Sequence, residues 1–299
     1  MASLRELRRK IKSVRSTQQI TKAMKMVAAA RMRRAQAAIL SSRPFAAKLE
    51  ETIHELALLE RPAGAQSGVP AHPFFAAAGE DPRPCLLLVT ADRGLCGSFN
   101  AMLLRAAMQW LLRVRGRRAS VALVGRKGRD FLRRLQCCEV ERCIEVVGIF
   151  PKVGFKHSEV VGEPLLKACR EGRTSSVTAI YNEFKSVVAQ RVVEKPLFPL
   201  APRAEGQAEG RAATPFKYEP ARERLLDALL PRHFKAQIYR ILLESQAAEL
   251  AARMNAMDAA TRNAGELIEG LTLELNRTRQ ASITREIAEL VGGAEALAS

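Results

Sequence analysis

NRTRQASITREIAE, residues 276–289, closes a helix-like run that extends from Glu219 to Val291. Apolar residues recur through the run at helical spacing: Leu267, Leu271 and Leu275, then Ile283, Ile287 and Leu290 or Val291. Between the two apolar sets lies a polar cluster of Arg277, Arg279, Gln280 and Thr284. Unbroken, such a helix is on the order of 110 Å long, far more than the diameter of a small domain. A rod of that kind needs a partner along its length.

The matching pattern stands at the other end of the chain. Leu4, Leu7, Ile11 and Val14 follow 3-4-3 spacing, and Met24, Val27 or Ala28, Met32, Ala35 and Ile39 resume it after an expected slip near Thr17 to Thr21. Neither Gly nor Pro interrupts residues 3–43, and Pro44 is expected to kink a helix that goes on to Leu59. Each segment alone would expose its apolar stripe to water, so the two are expected to pair antiparallel. The fold class is α/β: a long coiled coil of the N- and C-terminal helices with a Rossmann-like α/β domain inserted.

The boundaries follow from composition. Residues 1–60 form the first helix, 61–84 a Pro/Gly/Ala-rich linker, 85–200 the α/β domain, 201–216 a second linker, and 217–299 the last helix, which Pro231 could restart. Within the middle domain, the short apolar runs at 85–90, 121–125 and 177–181 alternate with helical stretches at 99–115, 127–135 and 160–170. Further strands are expected at 141–147 and 187–193. Buried strands separated by helices predict a parallel sheet.

The chain of 299 residues carries a net charge of +17, so acidic partners are expected. Residues 1–43 hold Arg5, Arg8, Arg9, Lys10, Lys12, Arg15, Lys22, Lys25, Arg31, Arg33, Arg34 and Arg43 against Glu6 alone. The readings of that face are a solvated coiled-coil surface, a surface for an acidic protein, and a nucleic-acid site. No aromatic residue interleaves these cations, which weighs against stacking on single strands. An Arg-rich start also has the look of a transit peptide, but the helical pattern continues past residue 30, which favours a mature N-terminus. The six cysteines match no zinc spacing, and Cys137 and Cys143 are the one pair whose spacing permits a redox role.

Catalytic chemistry is sparse. Thr90 to Asn100 reads TADRGLCGSFN, a turn from strand to helix in which Gly94 and Gly97 could admit an anion, but no G-x-G-x-x-G or P-loop order is present. His54, His72, His157 and His233 lie in different elements without metal-like neighbours. No catalytic residue, metal site or cofactor is expected.

Three segments together carry a family resemblance: IKSVRSTQQITKAMKMVAAARMRRAQ near the start, the TADRGLCGSFN turn, and AARMNAMDAATRNAGELIEGLTLELNRTRQASITREIAELVGGAEAL at the end. With these the chain closely resembles the γ subunits of the F-type ATP synthases. The resemblance implies a non-catalytic rotor, the central stalk of a proton-translocating synthase. Such a stalk carries torque between the membrane c-ring and the ring of α and β subunits, and bears on ATPase activity and proton flow.

The resemblance also implies roles for particular residues. Met24, Lys25, Arg279, Gln280 and Thr284 would contact the catalytic head, and Tyr218 and Glu219 would lie at the foot near the c-ring. The expected partners are the α and β subunits, ε and the c-ring, with δ in the same complex but without direct contact, and no nucleic acid. The expected location is peripheral, on the cytoplasmic face of the bacterial inner membrane. Ser98 stands where the family usually has Gly, and residues 201–215 lack the cysteine pair of the plastid members. The competing reading is a basic nucleic-acid-binding protein with a coiled-coil arm.

Overall fold

A computed structural model describes residues 3–59, 72, 74, 75, 83–135, 140–150, 152–200 and 222–298. The elements are α1 (Leu4–Leu59), β1 (Pro84–Val89), α2 (Phe99–Arg113), β2 (Ser120–Val124), α3 (Arg126–Arg134), β3 (Glu141–Val146), α4 (Phe155–Arg170), β4 (Ser176–Phe184), β5 (Gln190–Phe198) and α5 (Arg222–Ala298). They form two compact units, Met1–Ala29 with Arg253–Ser299, and Ala30–Ala252.

Helix α1 keeps one heptad phase from end to end. Leu4, Leu7, Ile11, Val14, Gln18, Thr21, Lys25, Ala28, Met32, Ala35, Ile39, Ser42, Ala46, Leu49, Ile53 and Leu56 are each buried or half-buried, at alternating steps of three and four residues. The expected slip near Thr17 to Thr21 is therefore absent. Polar side chains occupy seam positions there, and an apolar count reads that as a change of phase. Pro44 lies on the exposed face and does not end the helix. The hydrogen bond it forgoes, to the carbonyl of Leu40, is on the side that water reaches.

In the first unit α1 and α5 run antiparallel. Gln18 meets Gly265 and Lys25 meets Asp258, so seven residues up one helix match seven down the other. Along α5, Met257, Thr261, Ala264, Ile268, Leu271, Leu275, Thr278 and Ser282 are each buried or half-buried, again in heptad phase. Leu267, Ile283 and Ile287 are not in this seam: they are 52%, 48% and 56% exposed. Expected as the buried stripe, they face outward because the seam uses Ala, Thr and Ser, which a hydropathy pattern does not single out.

The second unit holds a five-stranded sheet of order β3-β2-β1-β4-β5. The pairs β1–β2, β2–β3 and β1–β4 are parallel, as expected. The last pair is antiparallel, which corrects the all-parallel expectation. Only Lys185 to Ala189 joins β4 to β5, too few residues for a crossover, so the chain turns as a hairpin. Ser186 closes that turn, its Oγ accepting the Ala189 N–H at 3.0 Å.

Each face of the sheet has its own core. Cys85, Leu87, Ala122, Val177 and Ala179 pack with Leu165 of α4, with Leu49, Ile53 and Leu56 of α1, and with Leu226, Leu230, Phe234 and Ile238 of α5. Leu86, Leu88, Val121, Leu123 and Ile180 pack with Phe99, Leu103 and Trp110 of α2, and Ala248 of α5 joins them. Helix α5 thus passes from one face of the sheet to the other, and every residue from Ile241 to Leu250 is buried. It continues through Pro231 without a restart.

Candidate functional site: the helical seam and the sheet crevice

A polar ladder holds the α1–α5 pair in register. Lys25 Nζ lies 2.5 Å from Asp258 Oδ1, and Arg262, one turn along, places its guanidinium 3.6 Å from Oδ2. The hydroxyls of Thr21 and Thr261 are 2.8 Å apart, and Gln18 Nε2 donates to the Thr261 carbonyl at 3.4 Å. Gly265 leaves room for that amide, since a Cβ there would stand 3.2 Å from Gln18 Nε2. The hydrogen bond from Lys25 holds the Asp258 carboxyl below the usual carboxylate range. Lys25, expected to face a partner, is thus tied across the pair, with 42% of its side chain exposed; its neighbour Met24 is half-buried.

The register also locates the polar cluster of α5. With Gln18 facing Gly265, the first residues of α1 come level with about residue 279. Gln280 and Thr284 therefore lie where α1 runs out, and Arg279, Gln280 and Thr284 are all exposed. Thr284 Oγ1 donates to the backbone carbonyl of Gln280 in its own helix at 3.0 Å. Ile283, Ile287 and Leu290 are exposed on the same stretch. Adjacent apolar and hydrogen-bonding groups on one uncovered helix make a surface suited to a protein partner. Tyr218 and Glu219 lie outside the described residues.

At the carboxyl end of the parallel strands, where α/β folds bind nucleotides, the chain fills its own crevice. The Asp92 carboxylate accepts the N–H of Arg126 at 3.1 Å and that of Gly148 at 3.0 Å from both oxygens. The Arg126 N–H belongs to the first residue of α3, where an incoming phosphate would seek its donors. Thr90 Oγ1 donates to the Val124 carbonyl at 3.0 Å and accepts the Gly128 N–H at 2.8 Å. A Cβ at Gly125, with φ of +94°, would sit 2.1 Å from the Thr90 carbonyl oxygen, so this crossing admits only glycine. The Gly94 and Gly97 turn thus serves to seat Asp92 and Asn100, whose Oδ1 accepts the Ala91 N–H at 3.0 Å.

The buried run of α5 carries charge. Arg240 Nε donates to Glu244 Oε1 at 2.7 Å, and Glu244 is 5% exposed, while its Oε2 and the Ser245 hydroxyl have no hydrogen-bond partner among the described residues. Burial, with Glu244 close by, pushes the Tyr181 phenol up. Three thiols gather at the opposite end of the sheet. The Cys85 thiol, hydrogen-bonded to Cys143, lowers the Cys143 pKa to about 6, and burial raises that of Cys169 to about 12. A bulge between Val121 and Ala122 places Cys143 against this core. Cys137, expected as its redox partner, lies outside the described residues.

Comparison with known proteins covers the whole chain. A family model described as ATP synthase matches residues 3–297. The ATP synthase gamma chain of Elusimicrobium minutum is 44% identical over 301 residues, spanning 99% of each chain. That of Anaeromyxobacter sp. strain Fw109-5 is 43% identical over 299 residues, 99% of this chain and 100% of the other. Among solved structures, a chain of the central stalk and c-ring of Tetrahymena thermophila mitochondrial ATP synthase matches 81% of this chain and 99% of its own, with 25% identity and TM-score 0.58. A chain of the OSCP, F1 and c-ring structure of Euglena gracilis mitochondrial ATP synthase shares the fold at TM-score 0.64 with 18% identity, covering 98% and 94%.

Proposed function

This chain belongs to the ATP synthase gamma family, and we propose that it is the torque-carrying central stalk of its synthase, without catalytic chemistry of its own. The observation that carries the reading is the antiparallel pair of α1 and α5, with α5 continuing uncovered past the start of its partner. Two helices locked side by side resist bending better than either alone, and an uncovered helix end presents a surface to a surrounding ring.

The head would be met in two ways. Arg279, Gln280 and Thr284 offer donors and acceptors beside Ile283 and Ile287, fitting contact with α and β subunits near the end of the stalk. The exposed cations of α1, among them Arg8, Arg9 and Lys12, face outward from the seam toward acidic loops. Solvated ion pairs contribute about 0 to 1 kcal/mol each, so many of them attract without locking a turning shaft. Met24 and Lys25 belong to the same bearing. Tyr218 and Glu219 would meet the c-ring, with ε beside them and δ elsewhere in the complex.

No described helix is long and apolar enough to cross a membrane; attachment as a peripheral protein, through the c-ring on the cytoplasmic face of the inner membrane, fits that. The closed crevice at Asp92 supports a domain that anchors the helices rather than binding nucleotide. The test is reconstitution with purified α and β subunits. Co-elution with restored ATP hydrolysis is expected. Failure to co-elute, with salt-sensitive retention on DNA instead, would overturn the reading.

A further inference from the structure

The four parallel strands begin along one end of the sheet. Cys85 pairs with Ser120 and Val177, and Ser120 with Glu141, so the residues just before these strands share that end. Three helices finish there as well, because each crossover helix returns antiparallel to the strands it joins. Strand β5 closes opposite Val177 at Phe198, so the chain enters and leaves the sheet at this same end.

Arginine dominates it. Arg115, Arg117, Arg118, Arg134 and Arg170 are exposed and have no carboxylate partner among the described residues. Others nearby have a carboxylate within reach: Arg133 and Arg142 share Glu145, and Arg173 pairs with Glu171. The carboxyl ends of α2, α3 and α4 contribute roughly half a negative charge each, which leaves most of the charge of these five guanidinium groups uncompensated. These groups come from separate turns and helix ends across four strands, a width of about 15 Å at the usual strand spacing.

An array of this kind suits a flat polyanion. Guanidinium forks bind phosphate oxygens in pairs, and among the described residues no exposed aromatic side chain lies between these arginines to offer a base a surface to stack on. We infer that this end of the sheet docks on anionic phospholipid headgroups of the membrane that holds the c-ring. The inference rests on the rotor reading, which sets Tyr218 and Glu219, further along the chain from Phe198, at the foot.

The test is flotation of the chain, assembled with α and β subunits, on vesicles of equal parts phosphatidylglycerol and phosphatidylcholine. The triple variant R115Q/R117Q/R118Q is expected to bind on the order of 100-fold more weakly than wild type. R93Q/R126Q/K152Q removes the same charge from exposed side chains at the opposite end of the sheet and is expected to bind as wild type does. Unchanged unfolding curves by circular dichroism confirm that both variants fold. Equal losses in the two variants, or none in either, would overturn the proposal. So would an R115Q/R117Q/R118Q variant that keeps its affinity for phosphatidylglycerol but loses it for c-rings in neutral lipid, since that makes the partner a protein. Failure to assemble would count against the rotor reading; the same two variants compared as free chains then decide the lipid question separately.

Discussion

Lys25 Nζ and Asp258 Oδ1 stand 2.5 Å apart across the helical pair, and Asp258 titrates below its usual range because that ammonium group is there. A carboxyl depressed in the folded state adds stability above its unfolded pKa, about 3.9, and loses it as pH falls through the folded value. Asp258→Asn is therefore expected to unfold at a lower temperature than wild type at pH 7. The difference should close in acid below about pH 3.9, followed by circular dichroism at 222 nm.

Two glycines predict opposite outcomes. At Gly265 a new Cβ meets only the end of the Gln18 side chain, which can swing away, and alanine raises helix propensity. Gly265→Ala is expected to stabilise the chain by about 0.5 kcal/mol. At Gly125 the same methyl strikes the Thr90 carbonyl in a left-handed backbone region. Gly125→Ala is expected to cost about 3 kcal/mol or more, read from urea unfolding.

Replacing Gln280 and Thr284 together with Ala removes polar groups that make no tertiary hydrogen bond among the described residues. The free chain is expected to keep its unfolding temperature, while assembly with α and β subunits or the turnover of the complex falls. Unchanged assembly and ATP synthesis would show these side chains to be dispensable.

Cys143 is expected to be the fastest thiol to react with iodoacetamide among Cys85, Cys96, Cys143 and Cys169. Its rate should rise through about pH 6, because the Cys85 thiol donates to its thiolate. Cys85→Ala removes the donor and should move that midpoint upward, as peptide mass spectrometry at several pH values would report.

The helical pair was legible because Leu4, Leu7, Ile11 and Val14 announce the heptad in apolar residues. It became obscure where Gln18, Thr21 and Lys25 take seam positions, since those side chains contact polar partners rather than apolar ones. On α5 the same substitution misled further. Ala264, Thr278 and Ser282 face the seam, and the larger Leu267 and Ile283 face outward. The parallel core was readable from its apolar runs, but the direction of β5 depends on the short Lys185 to Ala189 connection. Asp92 as the occupant of the crevice was not readable, because its partners are backbone N–H groups that carry no sequence signature. Arg279, Gln280 and Thr284 were located by family resemblance, and their uncovered position follows from where α1 begins.

The side chains that interrupt the apolar stripe also set what the pair can bear along its axis. Sliding one helix by a heptad, roughly 10 Å, keeps Leu and Ala in contact but can bring Lys25 opposite Gly265, stranding an ammonium group with nothing to accept its protons. An all-leucine seam would have several near-equivalent stops. This one has a single stop, so a push from either end meets a latch and the pair does not creep.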